Sequence, residues 1–387
     1  MFGLWLTYVL WTVIGSGIAY RPQAGLHLTN GLDFLNYWAG PRIAARDIQA
    51  LFVTDAYQAA LHRLYDGQFA VLNWSYPLHL LFYCAPFSAL PYLPALLLWS
   101  VFGLTLYFTT LRAALPSPAS RWVIAAALIA PATVVELLTR QNGFFTAAGA
   151  LGTLVLMAQG RTMLAGVLLG CLSVKPQLFV LWPLMLIGIG AWRVFFTATL
   201  TVAALLAASL LVHGLAAWET YLAVVPPLQW QQLSAEAFAA KRLLSHLMMP
   251  GVTAAMRLVV APEIWVQGMQ WLTSLGVAIT ALWVLRWPLT IGQRALLLAS
   301  AGMLVSPYGF NYDLAFLSAA LLLRWNERGH PSMVCLLIES FAFLLPLLVY
   351  LFNLAEIPLS PVILLLVFFI TVREARAHPA PTARGPA

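Results

Sequence analysis

Long apolar runs recur along this chain from Gly3 to Val372, separated by short segments that hold most of the charged residues. Such runs are typical of membrane-crossing helices, because a helix needs about 20 apolar residues to cross the hydrocarbon core. Charged residues make up 9% of the 387 residues, far below the roughly 25% of soluble domains. No stretch alternates with the period of two that an outer-membrane barrel requires. The sequence therefore predicts an all-α, polytopic transmembrane helical bundle of about 11–13 spans.

The apolar runs also predict where the helices lie. They are expected at 3–20, 94–112, 122–138, 143–158, 163–174, 177–190, 194–213, 263–285, 291–304, 311–323, 332–352 and 358–372. Two of them, 163–174 and 311–323, are too short to cross unaided, which indicates a wet cavity or a recessed site. The first run lacks a basic start and a cleavage pattern, so it is predicted to be a retained span. The run 77–90 contains two prolines and is compatible with a span, a re-entrant segment or a surface helix.

Basic residues near helix ends mark the cytoplasmic side of a membrane protein. Six connections carry arginine and can all be cytoplasmic: Arg112 with Arg121, Arg161, Arg193, Arg286 with Arg294, Arg324 with Arg328, and the tail with Arg373, Arg376 and Arg384. Loops 21–76 and 214–262 then lie on the outer face and are expected to cover a site. This parity requires an odd number of crossings between residues 76 and 112. The chain is predicted to be one transmembrane domain over 1–372 with a disordered cytoplasmic tail over 373–387.

The polar loop 21–76 gathers charged residues that are scarce elsewhere. Asp33 is followed by Asn36 and Tyr37, and residues three and four positions apart are neighbours on one face of a helix. This spacing is compatible with a site on the outer face. The alternative is that Asp33 caps a short surface helix, because aspartate is a preferred N-cap residue.

Two cations lie at predicted breaks between apolar helices on the same face. Arg140 begins the sequence Arg140-Gln141-Asn142-Gly143, at a helix start where backbone N–H groups favour anions. Lys175 is followed by Pro176, which interrupts the helix and places an ammonium group at or just below the membrane surface. Both cations are candidates for binding an anion. The alternatives are a snorkelling arginine and simple interfacial anchoring.

A second polar break covers residues 306–314. Pro307 and Gly309 interrupt the backbone, and Asp313 then enters a short apolar helix, where a carboxylate needs a partner or water. The alternative is a charge that only complements the helix dipole. Glu339 lies near the middle of another apolar run and is expected to pair inside the bundle.

The order of these motifs resembles the polyprenol-phosphate-sugar-dependent glycosyltransferases of family 87, first described as domain of unknown function 2029 and part of the GT-C superfamily. The resemblance covers nearly the whole chain. The matching segments are Asp33-Phe34-Leu35-Asn36-Tyr37-Trp38, Trp74-Ser75-Tyr76-Pro77, Pro86 through Pro91-Tyr92, Gln141-Asn142-Gly143-Phe144, Gly166 through Gly170 leading into Lys175-Pro176-Gln177, and Ser306-Pro307-Tyr308 followed by Tyr312-Asp313-Leu314. The specificity lies in their order, since no single motif is diagnostic.

The resemblance implies a GT-C-like fold and an inverting glycosyltransferase in the bacterial inner membrane, with its site facing the periplasm. It implies transfer of a hexose, mannose in the best-known members, from a polyprenyl phosphate to a glycan or glycolipid acceptor. Asp33 matches the general base, while Lys175 and Arg140 would bind the donor phosphate. Further substrate contacts are expected from Asn36, Tyr37, Tyr76, Gln141, Asn142, Gln177, Tyr308, Tyr312 and Asp313.

The remaining partners and alternatives follow from what the sequence contains. No glycine-rich phosphate loop occurs, as expected for a lipid-linked donor, and no carboxylate cluster predicts a metal or other cofactor. The net charge of +7 comes from arginines at span ends, so membrane lipids and not nucleic acid are expected partners. Cys84, Cys171 and Cys335 are expected to be small apolar side chains. A lipid or sugar transporter or flippase is the main alternative, and a structural membrane partner is another.

Overall fold

The computed structural model describes residues 32–65, 71–115, 121–239, 244–328 and 331–377. Every regular element within these ranges is helical and no strand occurs among them, which confirms the all-α class. The α-helices are α1 Leu32–Ala44, α2 Thr54–Leu64, α3 Leu80–Ser88, α4 Tyr92–Ala114, α5 Arg121–Leu128, α6 Pro131–Thr139, α7 Gly143–Ala158, α8 Thr162–Cys171, α9 Leu181–Gly188, α10 Trp192–His213, α11 Leu215–Gln232, α12 Ala235–Ala239, α13 Leu244–Leu247, α14 Val252–Leu258, α15 Glu263–Val284, α16 Ile291–Val305, α17 Ala315–Glu327, α18 Met333–Leu354 and α19 Ser360–Ala377.

The helices differ in their capacity to cross a membrane. Within the described ranges, α4, α10 and α18 are long and apolar enough, and the pair α5 and α6 would make a fourth span despite a 42° bend. The bend divides the predicted span 122–138, because Pro131 starts a new helix there. The predicted span 3–20 lies outside the described residues. The helical membrane fold is therefore confirmed, while the count of about 11–13 crossings stays a prediction.

The apolar run 77–90 is not a full span, which leaves the re-entrant segment and the surface helix among the three forms that the sequence allows. Its helix α3 has nine residues, which corresponds to about 14 Å and is too short for a full crossing. Helix α4 has 23 residues and is the one helix between residues 76 and 112 with sufficient length. A single crossing in this interval agrees with the parity that the arginine pattern requires.

Where the structure describes them, the two outer loops expected from sequence contain several helices. Loop 214–262 forms α11 to α14, and loop 21–76 forms α1, a 3-10 helix at Ile48–Leu51 and α2. The interpretation of residues 21–76 as a polar loop is wrong, since Phe34, Leu35 and Tyr37 are fully buried. These aromatic and aliphatic residues pack into a separate apolar cluster with α3 and α4. Helix α1 is accordingly not the exposed surface helix of the alternative interpretation.

Glycines allow α8 and α10 to pack closely. A Cβ atom at Gly166 would lie 2.6 Å from the Thr197 Cβ, and one at Gly170 would lie 2.5 Å from the Thr201 Cβ and 2.9 Å from the Ala198 carbonyl oxygen. Small residues four positions apart commonly bring membrane helices into contact. The glycine motif that precedes Lys175 therefore has a packing role.

We expect Gly170→Leu to destabilise the protein by about 1–3 kcal/mol, because the new side chain would overlap the backbone of α10. The matched control is Gly276→Leu on α15, where a Cβ would meet no atom within 4 Å among the described residues. Thermal unfolding of the purified variants in detergent measures the effect. Equal melting temperatures for the two variants would contradict the packing role.

An ion-pair network ties the ends of α17, α18 and α19 together. Arg328 pairs with Glu339 and Glu374, and the Arg324 guanidinium lies 2.6 Å from Glu374. The Trp325 indole N–H donates to Glu339 at 2.8 Å, so the prediction that Glu339 pairs inside the bundle is confirmed. Because Glu374 anchors α19 up to Ala377, residues 373–377 of the expected tail are helical, and 378–387 lie outside the described residues.

The cysteines show no disulfide. All three are free: Cys84 is buried, while Cys171 and Cys335 are half-buried. The expectation of small apolar side chains fits Cys84 most closely.

Candidate functional site

Four breaks in the helical structure meet in one place and carry its polar residues. They are the start of α1, the turn between α6 and α7, the break between α8 and α9, and the 3-10 helix at Asn311–Leu314. The polar cluster that they form consists of Asp33, Glu136, Gln141, Lys175 and Asp313. Residues far apart in sequence thus come together in space.

Asp33 lies in the first turn of α1 and outside the candidate spans. The Gln141 side chain donates a hydrogen bond to its carboxylate, and Lys175 is near enough to attract it electrostatically. Burial outweighs both effects and raises the pKa of Asp33 from 3.8 to about 6. A carboxylate with such a pKa is ionised at neutral pH and accepts a proton more readily than an exposed one.

Two tyrosines connect to the same glutamine. The Tyr37 and Tyr76 hydroxyl oxygens are 2.7 Å apart, and the Tyr76 hydroxyl donates to Gln141 Oε1 at 3.1 Å. The Tyr37 hydroxyl also donates to Gln141 Oε1. Since the amide oxygen of Gln141 accepts from the tyrosines and its amide nitrogen donates to Asp33, the glutamine is held in one orientation. This network fixes the Asp33 carboxylate in place.

Lys175 forms a buried ion pair. Its Nζ lies 2.6 Å from Asp313 Oδ1 and 4.7 Å from the centre of the Tyr312 ring. The second Asp313 oxygen accepts from the Phe310 backbone N–H at 3.1 Å. Asp313 therefore does more than complement a helix dipole, and Lys175 is too buried, at 4% exposure, to be a simple interfacial anchor.

Arg140 lies beside the cluster and not inside it. It ends α6 in the left-handed conformation, with φ of 56°, and its guanidinium donates to the Ser100 hydroxyl at 3.1 Å. A small cavity is lined by Trp99, Ser100, Glu136, Leu137, Arg140, Gln141, Phe144 and Phe145. Arg140 is half-buried and places a cation on the cavity wall, opposite in charge to Glu136.

The remaining predicted site residues have different surroundings. Asn36 accepts a hydrogen bond from Tyr57 at 2.7 Å, so its amide is engaged within the protein. The Tyr308 hydroxyl donates to Gln232 at 3.0 Å. Gln177 is half-buried in the 3-10 helix after Lys175. Asn142 is buried next to Gln141.

The motifs did not single out Glu136. It is 1% exposed on α6 and interacts electrostatically with Lys175, Asp313 and Asp33. An acidic residue near the end of an apolar run was the available signal, since such residues are costly in a membrane. Gly143 allows the close approach, because a Cβ there would overlap the Glu136 carboxylate and the Tyr312 carbonyl oxygen.

Comparison with known proteins identifies the family. The model of glycosyltransferase family 87 matches residues 74–307, which is more than half of the chain. The chain belongs to glycosyltransferase family 87. The match includes Arg140, Gln141 and Lys175, whereas Asp33 precedes it and Asp313 follows it. No curated protein and no solved structure matches this chain.

Membership in family 87 makes the protein a membrane glycosyltransferase that takes a sugar donor and an acceptor. It favours the enzyme over the transporter. Among the described residues of this family 87 protein, no three His, Cys, Asp or Glu side chains are placed to hold a metal ion.

Proposed function

We propose that this family 87 glycosyltransferase moves a hexose, mannose first among the candidates, from a polyprenyl phosphate to the hydroxyl of a glycan or glycolipid. The site would face the periplasm from the bacterial inner membrane. The observation that carries the proposal is that one cluster contains both Asp33, a carboxylate with a raised pKa, and Lys175, a buried cation. Transfer needs a base for the acceptor and a positive charge for the leaving phosphate.

The reaction would be a single displacement. Asp33 takes the proton of the acceptor hydroxyl while that oxygen attacks the anomeric carbon from the face opposite the phosphate. The bond between the anomeric carbon and the phosphate oxygen breaks, polyprenyl phosphate leaves and the anomeric configuration inverts. Lys175 has three N–H donors, of which one is directed at Asp313, so two remain for phosphate oxygens. Arg140 would meet the phosphate from the half-exposed side of the cavity.

The test uses purified protein in nanodiscs with radiolabelled polyprenyl-phosphate hexoses and a membrane glycolipid extract as acceptor. A glycosidic product from a lipid-linked hexose, with mannose compared against its epimers, supports the proposal. Movement of the labelled lipid across vesicles without product would support the transporter. Product from nucleotide sugars alone would contradict the lipid-linked donor.

The transfer rate should depend on pH through Asp33. Because its pKa is about 6 in the folded protein, the base is ionised above that pH and protonated below it. We expect kcat/KM to be level above pH about 6 and to fall about tenfold per pH unit below it. Tryptophan fluorescence over the same range separates this effect from unfolding. A level profile between pH 5 and 8 would contradict the assignment of the base.

Sidedness can be tested by cysteine labelling in intact cells. On a background with Ala at positions 84, 171 and 335, we expect Asp55→Cys to react with an impermeant thiol reagent. Gln159→Cys, next to Arg161, should be protected, because the arginine pattern places that connection in the cytoplasm. Both native residues are exposed in the structure, so access through the protein does not differ. The opposite labelling pattern would place Asp33 in the cytoplasm and remove the outer-face proposal.

A further inference from the structure

The last turn of α6 and the connection from α6 to α7 contain buried polar atoms without a partner. Glu136 Oε1 accepts from the Gly143 backbone N–H at 3.1 Å, but Glu136 Oε2 has no hydrogen-bond partner among the described residues. The same holds for both Asn142 side-chain atoms, Oδ1 and Nδ2. Glu136 is 1% exposed and Asn142 is 3% exposed. Buried polar groups in native proteins nearly always have partners, and exceptions commonly mark a functional site or a bound molecule.

The fold does not need these three atoms. Asn142 is the residue before α7, yet its side chain caps no backbone N–H of that helix. Glu136 needs one oxygen to hold Gly143 and leaves the other unused. The Glu136 carboxylate lies next to Gly143, the residue that follows Asn142, so the unpartnered atoms lie on one short segment, residues 136–142. A structural role accounts for Glu136 Oε1 alone.

The small cavity beside Glu136 has room for about one hydroxyl-sized group, and its walls combine aromatic and polar side chains. Glu136 lines the cavity together with the rings of Trp99, Phe144 and Phe145. Binding pockets typically combine apolar and aromatic walls with a few placed polar groups that fix orientation. The half-exposed Arg140 lies on the same cavity wall, and the Asp33 carboxylate bonds to Gln141, which also lines it. A sugar hydroxyl in this cavity would thus be adjacent to Arg140, the proposed phosphate contact, and to Gln141, which bonds the proposed base.

We propose that Glu136 Oε2 and the Asn142 amide bind a pair of neighbouring ring hydroxyls of the donor hexose and thereby select its stereochemistry. The atoms match: two hydroxyls donate to Glu136 Oε2 and Asn142 Oδ1, and one of them accepts from Asn142 Nδ2. A hexose whose hydroxyl points the other way leaves these atoms unpaired, and sites that bond a substrate hydroxyl reject such analogues strongly. This inference rests on the proposed hexosyl transfer and adds the residues that recognise the sugar.

The test combines variants with deoxy donors. The donors are polyprenyl phosphates of the preferred hexose and of its 2-, 3-, 4- and 6-deoxy forms. Asn142→Ala removes both amide atoms without removing a hydrogen bond of the described residues, and Glu136→Gln keeps the acceptor for Gly143. Thr139→Val is the matched control on α6, because the Thr139 hydroxyl donates only to the Val135 carbonyl at 3.0 Å. Melting temperatures establish that each variant is folded.

We expect each site variant to lose about 10–100-fold in kcat/KM on the parent hexose. The wild-type protein should lose a similar factor on one or two adjacent deoxy sugars. The decisive result is that the two losses do not multiply: Asn142→Ala should lose nothing further on the deoxy sugar that lacks its partner hydroxyl. Losses that multiply for every deoxy sugar would overturn the inference and assign the turn a structural role, as would a change equal to that of Thr139→Val.

Donor binding without acceptor, followed by tryptophan fluorescence, separates this inference from the proposed reaction. Binding that shows the same non-additive pattern without any product would uphold sugar recognition and reject transfer. Product formation with multiplying losses would uphold transfer and reject recognition by this turn. Absence of binding by every lipid-linked hexose would overturn both.

Discussion

Asp33→Asn should remove sugar transfer while leaving the protein folded and inserted. An amide has nearly the shape of the carboxylate but cannot accept a proton at neutral pH, and loss of a general base lowers rates roughly 10²–10⁴-fold. The amide oxygen introduced at position 33 can still accept from the Gln141 side-chain N–H, so Gln141 keeps its hydrogen bonds with Tyr37 and Tyr76. Initial rates with the lipid-linked donor at pH 7.5 measure the effect.

Stability distinguishes loss of the base from loss of the fold. The folded-state pKa of Asp33 is raised from 3.8 to about 6, so its protonated form is favoured by folding and its contribution to stability is lost as pH rises through about 6. Above that pH the buried charge opposes folding. Asp33→Asn should therefore melt at pH 7.5 at the wild-type temperature or higher, while being inactive.

The control is Asp55→Asn, an exposed aspartate in the first turn of α2. This variant makes the same chemical change outside the polar cluster, and it should keep both activity and stability. Wild-type turnover by Asp33→Asn would contradict the assignment. Asp313 is a poor replacement as base, because Lys175 and the Phe310 N–H already hold its two oxygens.

The positions of the chain breaks could be predicted from the sequence, but their contacts could not. Pro176 and the pair Pro307 and Gly309 indicated where helices end, because proline and glycine disrupt helical backbone locally. The ion pair between Lys175 and Asp313 joins residues 138 positions apart in sequence. Nothing in apolar periodicity specifies which helix ends meet, since the candidate spans are apolar along nearly their whole length. The sequence analysis therefore predicted that Lys175 and Asp313 lie on the same face, but it did not predict the ion pair between them.

The character of α1 illustrates a second limit. Its charged residues suggested a solvated loop, yet Tyr37 and Trp38 are buried and Asn36 bonds to Tyr57. The segment is short and mixed in composition, so its local polarity predicted exposure, whereas tertiary packing buries its aromatic side chains. Glu136 was missed for a related reason: its importance comes from the residues around it in space, and its own run offers only an isolated acid.

The largest combined effect on stability and activity is expected at Lys175. Lys175→Gln leaves the Asp313 carboxylate buried without its cation, and removal of one partner of a buried pair costs about 3–5 kcal/mol. A marked fall in the melting temperature is therefore expected, and loss of activity in this variant would not by itself identify a phosphate contact. The single variant must be compared with a variant that removes both charges.

The double variant Lys175→Gln with Asp313→Asn separates the two roles. It removes the unpaired charge, and the amide oxygen introduced at position 313 can still accept from the Phe310 N–H, so most of the lost stability should return. The ammonium stays absent, so kcat/KM for the lipid-linked donor should remain about 10²–10³-fold below wild type, the loss typical of removing one group that stabilises a developing charge. Lys175→Arg should restore little, because a planar guanidinium differs from a compact ammonium in reach and geometry. If the double variant regained both stability and wild-type donor use, Lys175 would serve only to hold the 3-10 helix at Asn311–Leu314, and the charge that meets the leaving phosphate would have to come from Arg140.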